Sequence, residues 1–159
     1  MMANMADKKA QKTASKAVKF DNGIYTELTF AARLQDIRLV SSEYAIKPDV
    51  FEALKDTDSL GYFGKPSEFH FDVTTGMMIG HYRWTAEIKS GRTKVLKLVS
   101  EYLIVYTGLS GFEEDYVRFF FNKVGRFATY PYFRTNFSHH SCASGIMLPP
   151  LPSLNERVN

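Results

Sequence analysis

Hydrophobic and polar residues alternate over long stretches of this chain, and a period of two predicts β-strands. The first such stretch covers residues 27–41, where the parity of the apolar positions switches between Leu28 and Ile37. A strand keeps its parity unless an extra residue is inserted. We therefore predict one long strand with a bulge near Gln35–Asp36.

Three more strands are predicted further along the chain, in residues 68–74, 78–89 and 94–106. Gly76 and Gly91 lie in short polar stretches between them, which is typical of tight turns. The last of the three is apolar on both faces near its end, so we expect it to be central in the sheet or covered by another subunit.

Residues 47–66 break the alternation and are interpreted as a long connection that docks on the domain. Asp49 is placed to cap a short helical turn over residues 50–55. Gly61, Gly64 and Pro66 then indicate a loop. This loop carries enough apolar side chains to form part of a binding site.

The period changes to 3.6 after Gly111, which predicts helices. One helix is expected to begin at the acidic residues 113–115 and to be interrupted at Gly125. A second is expected to begin close to Pro131 and to end at Gly145. Strands followed by helices predict an α+β fold, with a four-stranded antiparallel sheet and a C-terminal helix packed on one face.

Composition predicts one soluble domain with a basic extension. The chain has 159 residues, of which 45% are hydrophobic, and a formal net charge of +3. Residues 1–19 contain five lysines and no apolar period, so they are interpreted as a disordered basic tail, and residues 20–155 as the domain. No apolar run is long enough for membrane insertion, no secretory signal is evident, and Cys142 is the single cysteine. We expect a cytoplasmic protein.

Candidate catalytic and metal-binding groups are few. His139, His140 and Cys142 lie close together, but zinc needs three or four converging ligands and no second cluster exists. His70 and Asp72 share a strand face without a matching nucleophile. No phosphate-binding loop or dinucleotide fingerprint is present. The sequence therefore indicates a protein that is not an enzyme and uses no metal or cofactor.

The surplus of aromatic residues is the stronger signal. Thirteen Phe and nine Tyr exceed what one thin helix-on-sheet layer easily buries. They indicate a core, an oligomer interface or a hydrophobic groove that accepts extended peptides. An alternative function is nucleic-acid binding, with the lysine-rich tail contacting phosphates and exposed rings stacking on bases.

The run YPYFRTNFSHHSCASGIMLPPLPSL, residues 130–154, resembles the helix and following loop of the SecB export chaperone family. The matching features are an aromatic-Pro-Tyr opening, Arg134, the Ser144–Gly145 ending and the apolar-proline run at 148–150. The order of four strands, crossover loop and helix is also similar. The resemblance extends over residues 26–154.

This resemblance implies a SecB-like domain without ATP use or enzymatic activity. It implies a homotetramer, a dimer of dimers, that holds non-native polypeptide clients such as preproteins or an antitoxin. The peptide-binding residues that it places beside the groove are Phe51, Leu60, Tyr62, Phe63, Phe133, Phe137 and Leu148. SecA stays an open alternative partner. The family surface that SecA binds is usually acidic whereas this chain is basic, and the family's final helix has no counterpart after Leu154.

Overall fold

The computed structural model describes residues 20–55 and 60–154. They form a four-stranded antiparallel sheet in the order β1-β4-β3-β2, with one long helix packed on one face. This confirms the predicted fold class. The elements in chain order are α1 (Asn22–Ala31), β1 (Arg33–Ile46), α2 (Val50–Ala53), β2 (Leu60–Asp72), β3 (Met77–Ser90), β4 (Thr93–Thr107) and α3 (Glu114–Ala143). The predicted basic tail lies outside the described residues.

The predicted central strand and both predicted turns are confirmed. β4 pairs with β1 on one side and with β3 on the other. Gly76 is the last residue of the β2–β3 turn and Gly91 is the first residue of the β3–β4 turn, at φ values of 68° and 59°, where glycine avoids the clash of a side chain. The Asp72 carboxylate accepts the backbone N–H of Thr74 at 2.9 Å and so stabilises the first turn.

The predicted start of the first strand is wrong, whereas its bulge is confirmed. Residues 22–31 form α1, because the Asp21 carboxylate accepts the N–H of Gly23 at 2.7 Å and caps the helix. Only Leu28 of this helix is buried, and it also fits the alternation of the strand that follows, which led to the wrong prediction. In β1 the register shifts between Leu34 and Asp36, which leaves Gln35 as the bulge.

The predicted long loop is also wrong in part, because β2 begins at Leu60. Gly64 faces the Trp84 ring so closely that a Cβ atom would lie 2.7 Å from it, and glycine therefore marks a close approach here and not a turn. Pro66 adjoins a register shift on this edge strand, where proline is tolerated. The predicted helical turn is shorter than expected and covers Val50–Ala53.

The two predicted helices form one continuous helix of 30 residues. Gly125 does not interrupt it. A Cβ there would lie 3.2 Å from Phe121 and Tyr82, so the glycine allows α3 to approach the sheet closely. Pro131 lies on the exposed side of the helix interior. Gly145, at φ 73°, follows the end of the helix, as predicted.

The core lies between α3 and the sheet face made by the even-numbered residues of β3 and β4. Trp84 is at its centre and stacks on Phe133 with ring centroids 5.5 Å apart. We call this the α3 face and the opposite one the distal face. None of the helices in residues 20–55 and 60–154 combines the length and the apolar character that a membrane span needs.

Candidate polypeptide-binding surfaces

The structure divides the predicted peptide-binding residues between the core and the surface. Phe133 and Phe137 belong to α3 and are fully buried between this helix and the sheet. Leu60 and Tyr62 are half-buried on the α3 face of β2. Tyr62 lies beside Tyr130 of α3, with ring centroids 5.8 Å apart. These four residues therefore form one continuous layer, in which only the two strand residues contact solvent.

The other three predicted residues are accessible at separate places. Phe51 of α2 is 57% exposed. Phe63 is 52% exposed and lies on the distal face, opposite Tyr62, because successive strand residues alternate. Leu148 is half-buried in the residues that follow α3. No single pocket contains all seven residues, and their role as a peptide site stays a prediction.

Residues 146–154, the C-terminal segment, pack back against the rest of the domain. Ile146 and Leu151 are fully buried. The Tyr130 hydroxyl donates a hydrogen bond to the Pro152 carbonyl. Burial raises the pKa of Tyr130, with the neighbouring Tyr62 hydroxyl as a further cause. A cavity of about 200 Å³ remains between this segment and α3, lined by Phe127, Tyr130, Pro131, Arg134, Ser153 and Leu154.

A larger groove of about 590 Å³ lies on the other side of α3, between that helix and β1. We call it the α3–β1 groove. Its lining residues are Ile37, Leu39, Tyr102, Pro131, Tyr132, Thr135, Asn136 and His139. Leu39 is 49% exposed, and Tyr102 forms a buried floor. Burial raises the pKa of Tyr102 to about 12, so this floor stays uncharged.

The strand beside this groove has an open edge. β1 pairs only with β4, and no strand of the described residues pairs with its outer side. Leu34, Leu39 and Ile46 point to the α3 face and are exposed. Fourteen residues of unpaired, partly apolar edge are a template for another strand. The groove and the edge together form one apolar surface.

Comparison with known proteins identifies the fold. The sequence matches no protein-family model and no curated protein. Among solved structures it is similar to the Mycobacterium tuberculosis SecB-like chaperone Rv1957 in complex with a ChAD peptide from the Rv1956 HigA1 antitoxin. The TM-score is 0.65 at 20% sequence identity, covering 86% of this chain and 99% of that chain. This chain has the SecB-like chaperone fold. The resemblance of residues 26–154 is confirmed at the level of the fold.

Within this SecB-like fold, the histidines and the cysteine near the end of α3 do not converge. His140 stacks on Tyr44 with ring centroids 4.8 Å apart, whereas His139 and Cys142 are exposed. Burial lowers the pKa of His140, with His139 as a further cause. The Ser144 hydroxyl, 2.6 Å from the Tyr44 hydroxyl, completes a contact between β1 and α3. These residues hold the strand against the helix.

Sequence reasoning missed a polar network on the distal face of the SecB-like sheet. Glu101 lies 2.7 Å from Arg83 and 3.0 Å from His81, and it accepts the Ser67 hydroxyl at 3.0 Å. Glu68, His81 and Glu101 each have one potential metal-ligand atom, and these three atoms lie within 4.8 Å of one another. Because the Glu101 carboxylate is already paired with Arg83, we do not interpret these residues as a metal site. The sequence signal for this network was the alternation of β3 and β4, which places His81, Arg83 and Glu101 on the same face of the sheet.

Proposed function

We propose that this protein is an ATP-independent holdase chaperone that binds non-native polypeptides. One observation carries the proposal. A domain with the SecB-like fold and a complete core leaves large apolar side chains exposed on two sides of α3. Exposed apolar surface of this extent is typical of polypeptide-binding proteins. The solved relative, whose printed description has it bound to an antitoxin peptide, supports the same role.

We place the client beside β2, the second edge of the sheet. An extended polypeptide that pairs with this edge alternates its side chains between the two faces. One set of side chains then contacts Tyr62 and Leu60, and the other contacts Phe63. The exposed Phe51 and the half-buried Leu148 are proposed as further contacts of the client. Phe133 and Phe137 are fully buried in the core and do not contact the client directly.

We place the subunit interface at the α3–β1 groove and the β1 edge. The β1 edge adjoins the exposed apolar side chains of the α3–β1 groove, whereas β2 carries Lys65 and Pro66, residues that protect an edge from aggregation. The β1 edge therefore needs a partner that is present whenever the chain is present. A second copy of the chain satisfies this condition, whereas a client binds only transiently. Symmetric pairing of two β1 strands would bury the same surface on both copies. The proposed assembly is a homotetramer, a dimer of dimers.

Suppression of aggregation tests the holdase function. The purified chain should prevent an unfolded model client from aggregating without ATP. Phe51→Ser together with Leu60→Ser should weaken this effect, because both changes remove apolar area that is proposed to contact the client. Phe30→Ser is the matched control, since Phe30 is 77% exposed on α1, away from this surface. The proposal fails if the native chain does not suppress aggregation, or if the double variant suppresses it fully.

Light scattering tests the assembly. The expected mass is four times 18.1 kDa. Leu39→Asp should yield smaller species, because a carboxylate would be buried in the interface without a partner. Val73→Asp, at an exposed position in the β2–β3 turn, is the control. A native mass of 18.1 kDa would contradict the tetramer but not the holdase function.

The client class is either export preproteins or an antitoxin, and a pull-down from cells identified by mass spectrometry distinguishes them. Co-purification of SecA would support the export role. The cytoplasmic location is part of the same proposal.

The alternative, nucleic-acid binding through the lysine-rich tail, rests on residues outside the described part of the chain. Affinity for an oligonucleotide that falls steeply with salt concentration would support that alternative.

A further inference from the structure

The distal face of the sheet carries a pocket that shares only Phe63 with the client surface proposed above. Its volume is about 370 Å³. We call it the distal pocket, and its lining residues are Ser41, Glu43, Phe63, Lys65, Arg83, Thr85, Lys94, Lys97 and Val99. All four strands contribute to it. It lies across the sheet from α3, so it is separate from the α3–β1 groove and from the C-terminal segment.

The floor of the distal pocket is weakly polar. Strand pairing places Phe63 opposite Thr85, and Thr85 opposite Val99, in one row across the sheet. Thr85 is only 7% exposed, so the floor is recessed. Phe63 stands at one end of the row as an exposed aromatic wall. An apolar side chain of a ligand would find contact area on this row.

The rim of the distal pocket is cationic. Lys65 lies directly opposite Arg83 on the neighbouring strand, and like charges in this position repel each other. Arg83 is compensated from its other side by Glu101, at 2.7 Å. Lys65 has no ion-pair partner among the described residues. The fold therefore holds two cations side by side at one end of the pocket, and the one carboxylate near them lies on the far side of Arg83 from Lys65.

A second uncompensated cation lies at the other end. Lys97 is paired in register with Glu87. The Glu87 carboxylate is taken instead by Lys94 at 2.7 Å and Lys89 at 3.2 Å, and the hydrogen bond from Lys94 is the main cause of its lowered pKa. In the part of the chain that the structure describes, Lys97 therefore has no carboxylate partner. Two free ammonium groups thus line opposite ends of the same recessed floor.

We propose that the distal pocket binds an acidic segment of a partner polypeptide. One carboxylate of the segment contacts Lys65 beside Arg83, and another contacts Lys97. An apolar side chain between them packs on Phe63 and Val99. Charge complementarity selects an anionic ligand, since desolvated carboxylates need cationic partners. The site is distinct from the proposed client surface, with which it shares only Phe63.

A polypeptide fits this pocket better than a nucleic acid. Glu43 lines the pocket itself, and Glu87 and Glu101 adjoin its cations. These carboxylates would repel the closely spaced phosphates of a nucleic-acid strand, which needs a continuous cationic track. Side-chain carboxylates on a peptide are discrete and can be spaced to meet Lys65 and Lys97 while avoiding Glu43.

Fluorescence anisotropy with the full chain tests the proposal, using a labelled peptide of alternating glutamate and leucine as the probe. Lys65→Glu and Lys97→Glu should each lower its affinity about tenfold, because each removes a charge-assisted contact and adds repulsion. Lys123→Glu makes the same charge change on α3 and should leave the affinity unchanged. Lys65→Glu should also fold well, since glutamate opposite Arg83 forms a favourable pair.

A charge swap completes the test. The double variant Lys65→Glu and Lys97→Glu should bind the corresponding lysine–leucine peptide, which the native chain binds weakly. Equal affinity of the acidic peptide for the native chain and both single variants overturns the proposal. The proposal is also overturned if an oligonucleotide binds the native chain more tightly than the peptide does and no longer binds the Lys65→Glu variant. Aggregation suppression should be unchanged in all these variants, which separates this site from the client surface.

Discussion

The indole nitrogen of Trp84 donates a hydrogen bond to the hydroxyl of Thr129 across 2.8 Å, at the centre of the contact between β3 and α3. Thr129 in turn donates to the Gly125 carbonyl at 2.7 Å. Both side chains are buried, so this chain of bonds satisfies the indole without water. These bonds therefore fix both the position of α3 along the helix axis and its rotation about that axis.

Thr129→Val should therefore destabilise the fold although it preserves side-chain shape. The indole N–H would lose its acceptor inside the core, at a cost of about 1–3 kcal/mol. Chemical denaturation measures this change in the free energy of unfolding. Thr135→Val is the matched control, because Thr135 is exposed and its hydroxyl bonds to the Pro131 carbonyl within the same helix. Equal effects of the two changes would contradict the role of the indole bond.

Gly80→Ala should destabilise the fold by about 1–3 kcal/mol through overpacking. A Cβ atom at this position would lie 2.4 Å from the Phe121 ring, and the ring is held between the sheet and α3. Gly61→Ala on β2 provides the comparison, since no atom lies within 4 Å of the Cβ position there. Thermal unfolding of both variants should show a marked loss for the first and nearly none for the second.

Tyr130→Phe should loosen the C-terminal segment. The change removes the hydroxyl that donates to the Pro152 carbonyl and keeps the ring in place, at a cost of about 1 kcal/mol. Hydrogen–deuterium exchange should then rise in residues 146–154 and stay constant in β3 and β4. Tyr132→Phe, at an exposed ring of the α3–β1 groove, should leave this exchange unchanged. Unaltered exchange in Tyr130→Phe would show that apolar packing alone holds the segment.

Stability should decrease with acid through Glu101. Its pKa is lowered, first by the hydrogen bond from Arg83 and further by His81 and Ser67, against the opposing effect of burial. The stabilisation is fully present above the ordinary value of 4.5 and is lost as the pH falls through the lower value of the folded state. At neutral pH, Glu101→Gln should cost about 1–3 kcal/mol.

The difference between native chain and Glu101→Gln should shrink as the pH is lowered below 4.5, the ordinary value for this carboxyl. Denaturation curves collected across this range provide the measurement. Glu27→Gln removes an exposed carboxylate on α1 and serves as the reference. A difference that is constant with pH would show that the network contributes packing alone.

Much of the sheet could be predicted because α3 covers one face of both inner strands, β3 and β4. β3 and β4 keep one parity of large apolar residues on the α3 face, so Tyr82 and Trp84 share a face, and the bulge at Gln35 follows from a change of parity. Glycine was harder to interpret. Gly64 and Gly125 permit close packing against Trp84, Phe121 and Tyr82, and this depends on partners distant in sequence.

The candidate surfaces were predictable in composition but not in location. Phe133 and Phe63 are both aromatic, yet the first is fully buried and the second projects from the distal face. Burial of Phe133 depends on the sheet position of Trp84, which stacks on it. The distal pocket combines side chains from four strands, so Lys65 and Lys97 acquire a common role only through strand order.

The same strand order constrains how this protein is made. Leu39 of β1 pairs with Tyr102 of β4, 63 positions later, whereas β2, β3 and β4 pair through short turns. β1 therefore leaves the ribosome well before its partner exists, and folding must wait for synthesis of β4. During that interval its apolar residues are themselves an unfolded segment in need of protection. A proposed holdase would be, early in its own synthesis, a substrate for other chaperones.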